Sequence, residues 1–280
     1  MQYIVMDLEW NNVYVKKTSR FMNEIIEIGA VKLNSDLDTV DTFSCIIRSQ
    51  IGRKLRGSVK ELTHLTNADI LTGTSFTKTF SHFRKWIGNE ETCVITWGDS
   101  DIRVLIENYS YLNGINTVPF LSNYCDLQKY YQHFIKSDHG QQIGLVNAAV
   151  GIGLNPDLYT HHRALGDSLL TSDIFEQIFD ENLLKKEVLV CDKDFYSRLM
   201  FKPHIIKTID SSFVDKKRLE HFCEMCGSSC KRISKWKFSG QFFKADFYCD
   251  KCNTKYNIKV RFKKTYDGVD YKKVVSVAED

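Results

Sequence analysis

Apolar positions in the first fifty residues fall into short runs. Tyr3-Ile4-Val5-Met6 reads as a buried strand that breaks at Asp7-Leu8-Glu9-Trp10. Glu24 to Leu33 predicts a second strand, and Val40 to Ile47 a third after the polar turn Asn34-Ser35-Asp36. Sequential strands joined by short turns predict a meander. The period then lengthens. Val59, Leu62, Leu65 and Ile70 punctuate residues 58–71 at helical spacing, and Phe76, Phe80, Phe83 and Ile87 mark one apolar face of a helix over 75–87. Thr92 to Trp97 is the next strand, ended by Gly98. Helices follow over Asp101–Leu112 and Cys125–Ile135, from Gly144 to about Gly153, and over His161–Phe179. Three strands, helices, a strand and more helices predict an α/β domain, a mixed sheet covered by helices.

The signals weaken after this point. Residues 188–191 suit a short strand, Pro203 interrupts any helix, and 183–215 reads as a connector between a first domain, 1–182, and a second, 216–280. The whole chain of 280 residues is 43% apolar and 26% charged, which is globular composition, and three prolines exclude a Pro-rich stalk. No apolar run approaches the ~20 residues of a membrane helix. Met1-Gln2-Tyr3 has no basic flank and Asp stands at position 7, so a cytoplasmic protein with no membrane partner is expected. Charge separates the two ends. Residues 1–180 carry 16 Lys or Arg against 21 Asp or Glu, whereas 181–280 carry 22 against 14. A basic last third suits a polyanion partner as well as a merely solvated surface.

Two sets of residues carry chemistry. Asp7 and Glu9 are two apart in an extended segment, so both face one side of the strand and repel unless a cation compensates. Asp101 opens a helix, where a carboxylate also serves as a cap; Asp99 competes for that role and leaves Asp101 free to look inward. His162 precedes Asp167 by five residues, which puts the histidine on the loop entering the helix and the aspartate inside it. The second set is Cys223, Cys226, Cys249 and Cys252, two CxxC pairs in a chain expected to be cytoplasmic. That spacing favours a metal over disulfides. Four thiolates suit tetrahedral zinc, and a module this small would draw folding free energy from the ion. Cys230 is a spare thiol, while Cys45, Cys93 and Cys125 stand among apolar neighbours as small hydrophobes.

Five segments in order, Asp7-Leu8-Glu9-Trp10-Asn11, EIIEIGAV from Glu24, ELTHLT from Glu61, WGDSDIRVL from Trp97 and HRALGDS from His162, resemble the DEDDh 3′–5′ exonucleases of the RNase H-like superfamily. Within that family they are most similar to the ERI-1/KapD-like branch. The resemblance spans about residues 1–180. It implies an RNase H-like mixed sheet flanked by helices, hydrolysis of phosphodiester bonds from a 3′ end, and two Mg²⁺ or Mn²⁺ ions held by Asp7, Glu9, Asp101 and Asp167. His162 would be the general base, since the family histidine lies five before the last aspartate. Gly166 departs from the family, standing where an acidic residue often precedes that aspartate. Hard divalent ions take carboxylate oxygens, and an imidazole near its ordinary pKa accepts a proton at neutral pH. The substrate is expected to be single-stranded or frayed RNA, with DNA the alternative and a non-catalytic nucleic-acid-binding regulator a third. Trp10, Thr63 and Leu65 fall where the family holds the 3′-terminal nucleotide, although Leu65 also has core spacing.

The cysteine module is expected to be a small β-rich zinc ribbon around one structural Zn²⁺. Lys235 and Lys237 alternate there with Trp236 and Phe238, a pattern that suits phosphate contact and base stacking. A protein-docking role for the ribbon is the competing expectation.

Overall fold

The computed structural model describes residues 1–135 and 142–278. The chain divides into two compact units, Met1–Leu199 and Met200–Asp280. Among the described residues, no helix is long and apolar enough to cross a membrane.

The first unit opens with a long hairpin, β1 (Gln2–Val15) and β2 (Arg20–Leu33), followed by β3 (Thr39–Ile46). Helices α1 (Gly57–Thr63), α2 (Asn67–Thr72) and α3 (Phe76–Ile87) lead to β4 (Thr92–Thr96). Then come α4 (Ser100–Asn113), β5 (Asn123–Asp126), α5 (Leu127–Phe134), α6 (Leu145–Gly151) and α7 (Ala164–Gln177). Helix α8 (Glu181–Glu187), β6 (Leu189–Val190) and α9 (Lys193–Met200) close it. The sheet order is β3-β2-β1-β4-β5-β6. Its β1–β4 and β4–β5 pairs are parallel and the others antiparallel, which makes it mixed.

Alternation along β1 sends Tyr3 and Val5 into a core shared with Tyr130, Tyr131, Ala148, Ala149, Leu170 and Phe175 from α5, α6 and α7. Helix α4 lies against β2, where Asn108 Oδ1 accepts the Ile25 N–H at 3.2 Å.

Three elements differ from the sequence expectation. Strand β1 does not break at Asp7-Leu8-Glu9-Trp10; it runs on to Val15, and the polar Asn11 and Asn12 beyond that segment find partners inside the fold. Asn11 Nδ2 donates to the Lys54 carbonyl, its Oδ1 accepts the Arg56 N–H, and Asn12 Nδ2 donates to Asn23 Oδ1 across the hairpin. The helical pattern over 58–71 is two helices. His64 takes a left-handed conformation (φ 58°) that ends α1, and a reciprocal Thr66–Asp69 capping box starts α2. Strand β5 is four residues long, too short for periodicity to separate it from the helix that follows.

The stretch read as a connector, 183–215, is divided between the units. Leu184, Phe195, Tyr196 and Leu199 are buried in the first, and Ile206 and Val214 belong to the core of the second.

The second unit is an antiparallel sheet of β7 (His204–Ile205), β8 (Lys231–Arg232), β9 (Lys237–Ser239), β10 (Phe242–Cys249), β11 (Thr254–Lys264) and β12 (Val269–Val277). The order is β12-β11-β10-β8, with β9 pairing β10 and β7 pairing β11. Strands β10 and β11 alternate buried and partly exposed residues, and Phe243, Phe247, Tyr256, Ile258 and Phe262 supply the core.

Candidate active site

Asp7 and Glu9 lie on β1 immediately before a register shift, where the pairing of Glu9 with Glu27 gives way to that of Trp10 with Ile25. Such a bulge twists the strand and re-aims the side chains beside it. Asp167 comes from the first turn of α7. The carboxylate oxygens of Asp7, Glu9 and Asp167 lie within 4.8 Å of one another. Asp101, in the first turn of α4, is buried, and its Oδ1 accepts the Leu8 N–H at 3.0 Å. Asp99 is the residue at the cap, and its carboxylate pairs with Arg103 at 2.8 Å. Asp7, Trp10, Trp97, Asp101, His161, His162 and Asp167 line one cavity of about 390 Å³. It opens beyond the carboxyl ends of the parallel strands, where open α/β sheets bind ligands.

The electrostatics follow from crowding like charges away from water. Burial, then Asp101 and Asp167, holds the Asp7 carboxyl well above the usual carboxylate range. Glu9 is pushed up to about 8 by burial, with Asp167 and Glu27 adding to it. Burial lifts Asp101 to about 7 against the pull of its backbone hydrogen bonds. Asp167 is also raised by burial, opposed by the His162 N–H and the two imidazoles. Arg163 opposes the rise at Glu9, but its guanidinium is forked onto Glu27 through Nε and Nη2, at 2.6–3.1 Å. The donor set therefore suits hard divalent cations, which would relieve the repulsion that the protein leaves uncompensated.

His162 stands on the loop before α7 with φ 57°, and its backbone N–H donates to Asp167 Oδ2 at 3.1 Å. Its neighbour His161 is a second imidazole, which the five-residue spacing to Asp167 had set aside in favour of His162. The His161 Nδ1 lies 3.6 Å from Asp167 Oδ1, and it has no hydrogen-bond partner among the described residues. Gly166 has a steric reason. A Cβ there would stand 2.0 Å from the Thr160 carbonyl oxygen, so the histidine loop rests on this glycine. Gly29 likewise lets α7 approach β2, since a Cβ would meet the Leu165 nitrogen at 2.1 Å. Sequence reasoning passed over Glu27 and Arg163. Their signal was a glutamate inside the apolar run EIIEIGAV, which a buried strand tolerates only with a partner.

Trp10 reaches the cavity, but two other expected nucleotide contacts do not. Thr63 is 0% exposed, its hydroxyl donating to the Val59 carbonyl at 2.8 Å and accepting the Leu65 N–H. Leu65 is 4% exposed and packs with Ile26, Leu55 and Ile70. Both are interior, because the left-handed turn at His64 folds the chain back over them. Leu62 is the exposed apolar residue of that segment.

In the second unit the sulfurs of Cys223, Cys226, Cys249 and Cys252 lie within 4.8 Å of one another. Cys226 and Cys249 are 3.6 Å apart, near the ~3.8 Å edge of a tetrahedron with 2.3 Å metal–sulfur bonds. The Tyr256 hydroxyl, 3.1 Å from Cys223 Sγ, pulls that thiol down to about 6, toward the thiolate that a metal binds. Cys230 is buried outside the cluster. The four-thiol set fits zinc. Lys235 and Lys237 are exposed on the same unit.

Clustered carboxylates beside a cavity at the ends of the parallel strands suit metal-assisted phosphodiester hydrolysis. Residues 4–175 match the RNase_T exonuclease family. The chain is 31% identical over 167 residues to a probable 3′-5′ exonuclease, KapD, of Bacillus subtilis (strain 168), covering 59% of this chain and 78% of that protein. Its fold resembles the nuclease domain of 3′hExo, a DEDDh family member bound to rAMP (TM-score 0.56, 22% identity, 69% of this chain and 96% of that one). It also resembles cell-death related nuclease 4 (TM-score 0.54, 16% identity, 72% of each chain). The chain belongs to the exonuclease family, as a 3′–5′ exonuclease; it shares its RNase H-like fold with the DEDDh family member 3′hExo, and it is an enzyme that acts on nucleic acid.

Proposed function

We propose that this enzyme shortens single-stranded or frayed RNA from the 3′ end, releasing nucleoside 5′-monophosphates. The convergence of Asp7, Glu9 and Asp167 to within 4.8 Å, beside a cavity that also receives His162, carries the reading. Asp7, Glu9, Asp101 and Asp167 would hold two Mg²⁺ or Mn²⁺ ions, which supply charge neutralisation for phosphoryl oxygens and acidify water. His162, exposed on the loop before α7, accepts the proton of the attacking water. The water oxygen bonds to phosphorus as the bond from phosphorus to the 3′ oxygen breaks, and the proton taken by His162 is returned through solvent to that oxygen, leaving a 3′ hydroxyl on the shortened strand. Asp101 anchors β1 through Leu8, and the Glu27–Arg163 fork holds the start of α7, so the acids keep their spacing. Trp10 offers a ring for the terminal base.

RNA is favoured over DNA because two fold relatives are described with RNA: the nuclease domain of 3′hExo is bound to rAMP, and a 3′-exonuclease is described in 3′-end specific recognition of histone mRNA stem-loop. The nuclease role is assigned to residues 1–182. One Zn²⁺ on the four cysteines would hold 216–280, where Lys235 and Lys237 meet the phosphate backbone.

Digestion of 5′-labelled RNA and DNA oligomers of one sequence, with Mg²⁺ and with Mn²⁺, tests the reading. A ladder shrinking from the 3′ end is expected, faster on RNA, and absent with Asp7→Ala. Equal or faster loss of DNA would reassign the substrate, and wild-type turnover by Asp7→Ala would overturn the site.

A further inference from the structure

The second unit contains a cavity of about 400 Å³, walled by Arg232, Trp236, Phe247 and His221 and bordered by Lys216 and Glu220. It shares no residue with the carboxylate site. His221 is only 4% exposed, yet its Nε2 has no hydrogen-bond partner among the described residues. An orphaned polar atom in a buried ring is costly. Its ring is held edge-on against Tyr256 and Phe247, with centroids 4.8 and 6.0 Å away, so its direction is set by packing.

The other walls have complementary chemistry. Trp236 is half-buried, its ring edge-on to Phe247 at 5.8 Å, and presents the rest of its surface to the cavity. Arg232 stands directly opposite Phe247 in the β8–β10 ladder, so the two side chains emerge on one face. The Arg232 guanidinium makes no ion pair among the described residues, whereas Lys216 is engaged by Asp210 and the Ile209 carbonyl. Residues 200–280 carry 18 Lys or Arg against 10 Asp or Glu, so an anionic strand is drawn to this unit.

We propose that this cavity is a nucleotide subsite: an unpaired base lies on Trp236 with its edge toward His221, whose Nε2 lacks a partner among the described residues, and its phosphate on Arg232. The volume falls in the range of small-ligand sites, and an aromatic platform beside a free cation is how single strands are held without sequence preference. The proposal rests on the reading of the enzyme as one that works on single strands, and it gives the zinc-bearing unit a specific grip on them.

The test uses the full chain with zinc retained and without Mg²⁺ or Mn²⁺, so that the strand stays intact. Anisotropy of a 5′-fluorescein oligoadenylate reports affinity for wild type, Arg232→Gln and His221→Phe. Each variant is expected to bind about tenfold more weakly. Arg232→Gln should also flatten the slope of log affinity against log salt by about one unit. His221→Phe should melt no earlier than wild type, because it removes the orphaned nitrogen. Wild-type affinity in both variants would overturn the proposal and leave the cavity to a protein partner or to structure alone. Should His221→Phe lose zinc or melt early, Arg232→Gln on the exposed face decides by itself. Addition of Mn²⁺ then tests the nuclease reading separately. A wild-type enzyme that binds the strand without shortening it fails that reading, whatever the variants do.

Discussion

His162 and His161 are adjacent, yet the backbone gives them different work. The left-handed turn at His162 aims its N–H at Asp167 and leaves its ring exposed at the cavity, whereas His161 turns Nδ1 toward the Asp167 carboxylate at 3.6 Å. With His162 as the base, His162→Ala is expected to lower kcat by ~10²–10⁴-fold. It should leave Mn²⁺ affinity close to that of wild type. His161→Ala is expected to change Mn²⁺ affinity first, because its ring sits against an acid of the metal set. Calorimetric titration beside single-turnover rates separates the two, and loss of Mn²⁺ binding in His162→Ala would make that residue a ligand instead of a base.

At the scale of elements, the site depends on how closely α7 and its leading loop approach the sheet. Ser168 Oγ donates to the Gly29 carbonyl at 3.0 Å, and the Ala164–Leu165 backbone lies where a side chain at 29 would be. Gly166 performs the same service for the loop, its missing Cβ making room for the Thr160 carbonyl. Gly166→Ala is therefore expected to cost ~1–3 kcal/mol by overpacking. It should cut kcat by about 10²-fold, since a shift of about 1 Å in a catalytic group has that effect. Urea melts beside steady-state rates check both numbers, and an unchanged kcat would show that the loop does not depend on this contact.

Across the whole molecule, the carboxylate cluster makes stability depend on pH and metal together. Glu9 at about 8 and Asp101 at about 7 lie above the ordinary carboxylate values they regain on unfolding. A raised folded pKa means that the folded state holds protons the unfolded state releases. The resulting stability is present in full below the unfolded values near 4 and is lost as pH climbs through about 7 and 8. The metal-free protein is therefore expected to melt lower at pH 9 than at pH 6, by ~5 °C or more for its first transition. Mg²⁺ or Mn²⁺ should remove most of that slope, because the cation takes the place of the protons. Scanning calorimetry at both pH values, with and without the ion, measures the effect. A metal-free protein equally stable at both would mean that the acids are not mutually strained.

The sequence by itself determined the strands that alternate, the helices with a repeating apolar face, and the residue types that chemistry requires. Asp7 and Glu9 share a face by the period of a strand, the step from His162 to Asp167 separates loop from helix, and two CxxC pairs suit a thiolate-bound metal. These features are local, so they survive in a one-dimensional string. The tertiary structure alone decided which exposed-looking residues are interior and which polar ones are paired. Thr63 and Leu65 are buried by a turn at His64, β1 continues past Glu9 because Asn11 meets Lys54 and Arg56, and Glu27 is tolerated in a buried strand because Arg163 arrives from 136 residues away. Burial and pairing depend on contacts between distant segments, and no periodicity in the chain encodes which segments those will be.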